Sequence, residues 1–194
     1  MARTYTQAAR AEATEQTRKA ILEAAIARFD RGEFEANLDA IADEAGVSTR
    51  TILRHFGSKE GLVEAAIAAA SAAVRAARRA PVGNAEAFSR ALVSHYEQDG
   101  DRVLQLLAAE DRYPIVREAT EHGRRLHAEM VEECFAADLD GLAPTVRAER
   151  LAMLVAVTDV YTWALLRRRG GIGRKATEAA ICGLINHARG VHRS

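Results

Sequence analysis

The sequence predicts an all-α protein of about nine helices: a three-helix helix-turn-helix unit followed by a larger helical domain. Three observations point there. Apolar residues recur at helical spacing along nearly all of the 194 residues, and no long alternating run of Val, Ile and Thr marks a strand. The only prolines are Pro81, Pro114 and Pro144. Alanine is abundant, as in EAAIAAASAAVRAARRA, which favours helices that approach closely.

The first ten residues or so read as a polar arm, with a first helix from about Thr14 to Arg31. Ile21, Leu22, Ala25, Ile26 and Phe29 share one face of it, and Gly32 ends it. Asn37 is placed to cap a short second helix, LDAIADEA, which buries Leu38, Ile41, Ala42 and Ala45. Gly46 then breaks the chain, because a turn this sharp needs the positive φ that glycine adopts at little cost. Ser48 caps a third helix through Phe56. Ser58 caps a long helix to about Ala80, with Glu60 in its first turn and Arg75, Arg78 and Arg79 in its last, as the helix dipole favours. PVGN is a loop, and Asn84 caps the next helix. Further helices are expected at about 85–98, 101–110, 114–137, 145–168 and 174–190, with DLDGLAP and GGIG as separators. Residues 1–57 form the first domain, with its arm, and 58–194 the second.

Lys+Arg and Asp+Glu each number 27, so the net charge is zero. A non-specific polyanion binder is normally basic overall, so any nucleic-acid site here must be local. Cys134 and Cys182 are far apart and lack zinc-finger spacing, so no disulfide framework, metal site or other cofactor is expected. The N-terminus MARTYTQAARAEATEQTRK has no apolar core, and no segment approaches the roughly 18 unbroken apolar residues of a membrane span. The expected location is cytoplasmic, with no membrane contact.

One stretch departs from the balance. GVSTRTILRHFGSKEGL, from Gly46 to Leu62, carries Arg50, Arg54, His55 and Lys59 against a single acid, Glu60. Two short helices joined by a glycine turn are the helix-turn-helix pattern. Burial of Ile41, Ala45, Ile52 and Phe56, with Val47 as a plug, leaves Thr49, Arg50, Arg54 and His55 facing outward. In that motif the second helix enters the major groove, where arginine matches guanine O6 and N7 and hydroxyls reach phosphates or bases. Lys59, at the start of the next helix, is placed for a phosphate. The same pattern also fits a solvated face of an ordinary helical protein.

The block TRKAILEAAIARFDRGEFEANLDAIADEAGVSTRTILRHFGSKEGLVEAAI resembles the DNA-binding domain of TetR-family transcriptional regulators. The resemblance rests on Thr17, Phe29, Gly32, Ile41, Ala42, Ala45, Gly46, Val47, Ser48, Thr51, His55, Phe56, Ser58, Lys59, Glu60 and Leu62 at fixed spacing. Leu53 departs from it where the family usually has a phosphate-binding Tyr, and Asn37 stands where a Thr cap is frequent. The resemblance implies phosphate contacts from Thr17 and Lys59, and a capping Ser48 that also touches phosphate. It implies a groove-facing set of Thr49, Arg50, Thr51 and Arg54, with His55 near the backbone. Arg3 and Arg10 are further candidates on the arm.

It also implies a second helical domain that binds a small molecule and dimerises. Phe88, His95, Tyr96, Tyr113, His122, His127, Met130, Cys134, Phe135 and Trp163 are the candidates for lining a ligand site, although Phe88, Met130 and Phe135 at helical spacing fit plain core better. The helices at about 145–168 and 174–190 are the expected homodimer interface. Leu151, Leu154, Val155, Thr158, Tyr161, Trp163, Leu165 and Leu166 give the first of them a broad apolar surface, and Ala176, Ala179, Ala180, Gly183, Leu184 and His187 form a small-residue stripe on the second. The alternative is that both simply complete the monomer core. LLRRRGGIGRK reads as a basic loop with solvated cations.

The functional expectation is a ligand-responsive repressor that binds double-stranded operator DNA of pseudo-palindromic sequence as a dimer, released by a small-molecule effector. A small helical enzyme would need a catalytic constellation. No His-Glu-x-x-His, P-loop, Gly-x-Ser-x-Gly or repeated Glu-x-x-His is present, and the spacing of His122 and His127 in EHGRRLH suits two ligands on one face poorly. A purely structural module leaves the arginines after Gly46 unexplained.

Overall fold

The computed structural model describes residues 2–190, with side chains from 10 to 190. Among these the chain forms ten α-helices and one π-helical turn, and no strand. It divides into two compact units, residues 1–70 and 71–194, the division falling within α4.

In the first unit α1 runs Ala2–Asp30, α2 Leu38–Ala45, α3 Thr49–Phe56, and α4 begins at Lys59 and continues to Ala77. The first helix thus starts at Ala2, not near Thr14. No Pro or Gly interrupts the segment, and its Ala, Glu, Gln and Arg residues are strong helix formers. The core is small: Ile21, Leu22 and Ala24 of α1, Ile41 and Ala42 of α2, Ile52 of α3 and Leu62 of α4 are buried. Val47, Phe56 and Ala69 pack against them. Arg31 donates to both oxygens of Glu44 at 3.2 and 2.7 Å, tying the end of α1 to α2. That pairing holds the Glu44 carboxyl below its usual range.

The second unit contains α5 Ala85–Ala109, α6 Pro114–Cys134, the short α7 Ala136–Leu139, α8 Pro144–Val157, α9 Val160–Ala164, a π turn Leu165–Arg169 and α10 Arg174–Arg189. α5 is central and packs against α6, α9 and α10. Three features differ from the sequence expectation. The helices expected at 85–98 and 101–110 are one helix, with Gly100 buried inside it. A Cβ at Gly100 would lie 2.5 Å from the Trp163 ring, so glycine here is a space requirement and not a helix stop. The helix expected over 145–168 is broken. Thr158 turns its hydroxyl back to the Leu154 carbonyl at 2.7 Å, and Asp159 caps a new helix by accepting from the Tyr161 N–H at 2.8 Å. Two arginines of the LLRRRGGIGRK stretch are also not solvated loop cations. Arg167 pairs with Glu97 at 2.9 Å, and Arg168 pairs with Asp101 through two hydrogen bonds of 3.0 and 2.9 Å.

Candidate nucleic-acid interface

The geometry of the α2–α3 unit is set by its caps and turns. Asn37 Oδ1 accepts from the Ala40 N–H at 2.8 Å and starts α2. Gly46 ends it in the left-handed region, φ 66°, and its N–H closes the last turn. Two residues later Ser48 Oγ accepts from the Thr51 N–H at 3.2 Å and shares a hydrogen bond with the Thr51 hydroxyl at 2.9 Å. Thr49 donates to Asp39 Oδ1 at 2.6 Å, fastening the first turn of α3 to the first turn of α2. Sequence reasoning misses this role of Asp39.

Gly57, at φ 78°, ends α3, and Ser58 Oγ accepts from the Gly61 N–H at 3.0 Å to start α4. Here the two helices approach as closely as backbones can. A Cβ at Gly61 would sit 2.2 Å from the Phe56 carbonyl oxygen. That approach sets Lys59, in the first turn of α4, at the end of α3. Phe56 is also held from the α1 side, with the Arg18 guanidinium 5.2 Å from its ring centroid. His55 is half-buried and tilts against Phe56 at 6.2 Å.

Arg50 and Arg54 are exposed on α3. Among the described residues neither has an ion-pair partner, and Lys59 is coupled only to its neighbour Glu60. The contrast with the other arginines is informative. Arg28, Arg31, Arg75, Arg90, Arg102, Arg117, Arg124, Arg147, Arg167, Arg168, Arg174 and Arg189 each pair with a carboxylate. Arg79, Arg112, Arg125 and Arg169 are likewise exposed without an ion pair among the described residues, but they are scattered over the second unit, whereas Arg50 and Arg54 share one short helix. Leu53 is exposed on the same helix. Thr17 is half-buried on α1, and its hydroxyl donates to the Ala13 carbonyl at 2.8 Å, leaving its lone pairs available. Arg10 is exposed, and the side chain of Arg3 lies outside the described residues.

Of the residues considered for a small-molecule site, Phe88, His95, Tyr96, His127, Met130 and Trp163 are all buried in the second unit. Phe88 stacks edge-on against Phe135 at 5.3 Å and belongs to the core. Tyr113 stands at the start of α6 with Arg112 over its ring. His122 meets the Ser71 hydroxyl at 2.8 Å. Tyr96 and His127 meet at Arg78, a residue that the linear pattern assigns to the helix dipole, and His95 lies beside Tyr96. Its guanidinium lies 4.6 Å over the Tyr96 ring, and its Nη1 donates to His127 Nδ1 at 3.2 Å. Because arginine only donates, His127 is neutral and carries its proton on Nε2. That proton faces Thr158 Oγ1 at 3.1 Å, and the Thr158 hydroxyl donates onward to Leu154 O. Tyr96 donates to the Thr158 carbonyl at 3.1 Å. Burial lowers His127 and His95 from the ordinary 6.5 to about 4, and raises the Tyr96 phenol to about 12. No one-dimensional signal separates Arg78 from its exposed neighbour Arg79.

Residues 21–66 match the family described as bacterial regulatory proteins, tetR family. A stretch of 45 residues is 56% identical to the HTH-type transcriptional regulatory protein RaaS of Mycobacterium tuberculosis. That match covers 23% of this chain and 21% of the relative. No solved structure matches significantly.

Proposed function

With residues 21–66 matching the tetR family of bacterial regulatory proteins, we propose that the chain is a sequence-specific DNA-binding transcriptional regulator. In this reading it is a ligand-responsive repressor that binds a pseudo-palindromic operator in the cytoplasm as a homodimer and is released by a small molecule. The observation that carries the reading is the pair of exposed, unpaired arginines side by side on α3, the second helix of the helix-turn-helix unit. α3 enters the major groove, with Arg50 and Arg54 on base edges and Thr49 and Thr51 beside them. Thr17, Ser48, His55 and Lys59 lie along the phosphates.

The test is a gel shift with genomic fragments, with and without added metabolites, and then variants on the fragment recovered. Arg50→Ala is expected to cost about 1–3 kcal/mol on the operator and much less on random DNA. Lys59→Ala should weaken both alike and lower the salt slope by about one unit. Equal effects of Arg50→Ala on operator and random DNA would remove Arg50 from base reading.

The homodimer is supported by the apolar side chains left exposed on the last helices: Met153, Tyr161, Leu165 and Leu184, 40–56% exposed. Gly183 on α10 offers open space above its backbone, which lets a second helix come close. Two recognition helices roughly 34–36 Å apart would read successive turns of B-DNA. Light scattering at micromolar concentration is expected to return a dimer; a monomer both free and on DNA would contradict it.

A further inference from the structure

Arg78 is 7% exposed, its Nε has no hydrogen-bond partner, and among the described residues no carboxylate lies within ion-pair distance of it. The nearby acids are engaged elsewhere. Asp159 caps α9, and Asp99 faces His95 at 3.4 Å and Arg102 at 3.4 Å. The two imidazoles supply no negative charge, and the Tyr96 phenol keeps its proton at neutral pH. A guanidinium stays charged when buried, and an uncompensated buried charge is strongly destabilising. A salt bridge explains most other arginines of this chain; none explains this one. Beyond His127, its neighbours are aromatic: the Tyr96 face lies under the guanidinium, and the buried Trp163 ring sits 5.8 Å from Tyr96.

We propose that Arg78 anchors the effector, and that the effector is an organic carboxylate with an apolar body. The proposal rests on the reading of the second unit as effector-binding. The planar fork of a guanidinium matches the two oxygens of a carboxylate, and the free Nε–H supplies a donor for it. His127 holds the fork from its Nη1 side through the Thr158 hydrogen-bond chain, and Tyr96 holds its face, so the charge is oriented before any ligand arrives. An apolar body satisfies the aromatic neighbours, which an inorganic anion would not.

The experiment is isothermal calorimetry on the full chain with hexanoate, decanoate, benzoate and phenylacetate, each beside its own primary amide, and with inorganic phosphate. At least one carboxylate is expected to bind about 10-fold or more tighter than its amide, and phosphate is expected not to compete. Arg78→Gln should abolish the carboxylate preference, and Arg78→Lys, which keeps charge but loses the fork, should retain part of it. Folding of both variants is read from Trp163 fluorescence. If Arg78→Gln fails to fold, the wild-type carboxylate-to-amide ratio together with Arg78→Lys decides. Equal binding of acids and amides, no binding across the panel, competition by phosphate, or an undiminished preference in Arg78→Gln would each overturn the proposal. DNA binding is scored separately on genomic fragments. A chain that selects carboxylates but binds no DNA keeps this site and loses the regulator reading; one that binds DNA without charge selection does the reverse.

Discussion

Below pH 6.5 the second unit is expected to lose stability steeply. His95 and His127 are held near 4 in the folded chain, chiefly by burial and next by the charge of Arg78, whereas the unfolded chain takes up protons near 6.5. The unfolded state therefore binds more protons throughout that window, and stability falls as the pH drops through it. The contribution is complete above pH 6.5, declines between 6.5 and 4, and changes no further below 4. Each imidazole contributes on the order of 1.4 kcal/mol per pH unit inside the window, roughly 3 kcal/mol in all. The groups facing them are Arg78, Asp99, Arg102, Tyr96 and Asp159, and Arg78 keeps its charge throughout. Urea melts followed by Trp163, the single tryptophan, report this unit directly. The double variant His95→Gln, His127→Gln should have a flatter profile between pH 6.5 and 4. An unchanged profile would assign the acid loss to other groups.

Trp163→Ala should cost about 3–5 kcal/mol, the range for emptying a large buried aromatic site. The ring is fully buried, lies against the backbone at Gly100, and packs beside Tyr96. Its Nε1–H donates to Glu97 at 3.0 Å, and the Arg168 guanidinium lies over the ring at 4.6 Å. Truncation leaves a cavity that neighbours on three helices cannot collapse into, and leaves Glu97 with Arg167 alone. Trp163→Phe should recover part of the packing but not the hydrogen bond. Chemical denaturation followed by circular dichroism measures both. A cost for Trp163→Ala within a few tenths of a kcal/mol would show that the ring does not organise this core.

Legibility differs between the two units. In the first, almost every controlling interaction is local. Asn37, Ser48 and Ser58 cap helices three residues ahead of them, and Gly46 and Gly57 occupy turns that only a positive φ can make. Such features depend on residues within one turn, so composition and spacing suffice, and the exposure of Arg50 and Arg54 follows once Ile52 is buried. Even there, the backbone contact of Gly61 with Phe56 and the Asp39–Thr49 hydrogen bond are not legible in the sequence, because both cross between helices.

In the second unit the sequence by itself determined that helices form, and roughly where Asn84, Pro114 and Pro144 start them. Only the tertiary structure decided the rest. Gly100 is a break in one dimension and a seat for Trp163 in three. Arg167 and Arg168 look solvated until Glu97 and Asp101, some 70 and 67 residues earlier, come within reach. Thr158 interrupts a continuous apolar pattern because its hydroxyl returns to its own helix and faces His127. Arg78 and Arg79 are adjacent and chemically identical, yet one is buried against Tyr96 and His127 and the other is exposed. Caps and turns are set by neighbours along the chain, whereas burial and charge compensation are set by whichever distant residues the packed helices bring opposite, and that is information the linear pattern does not carry.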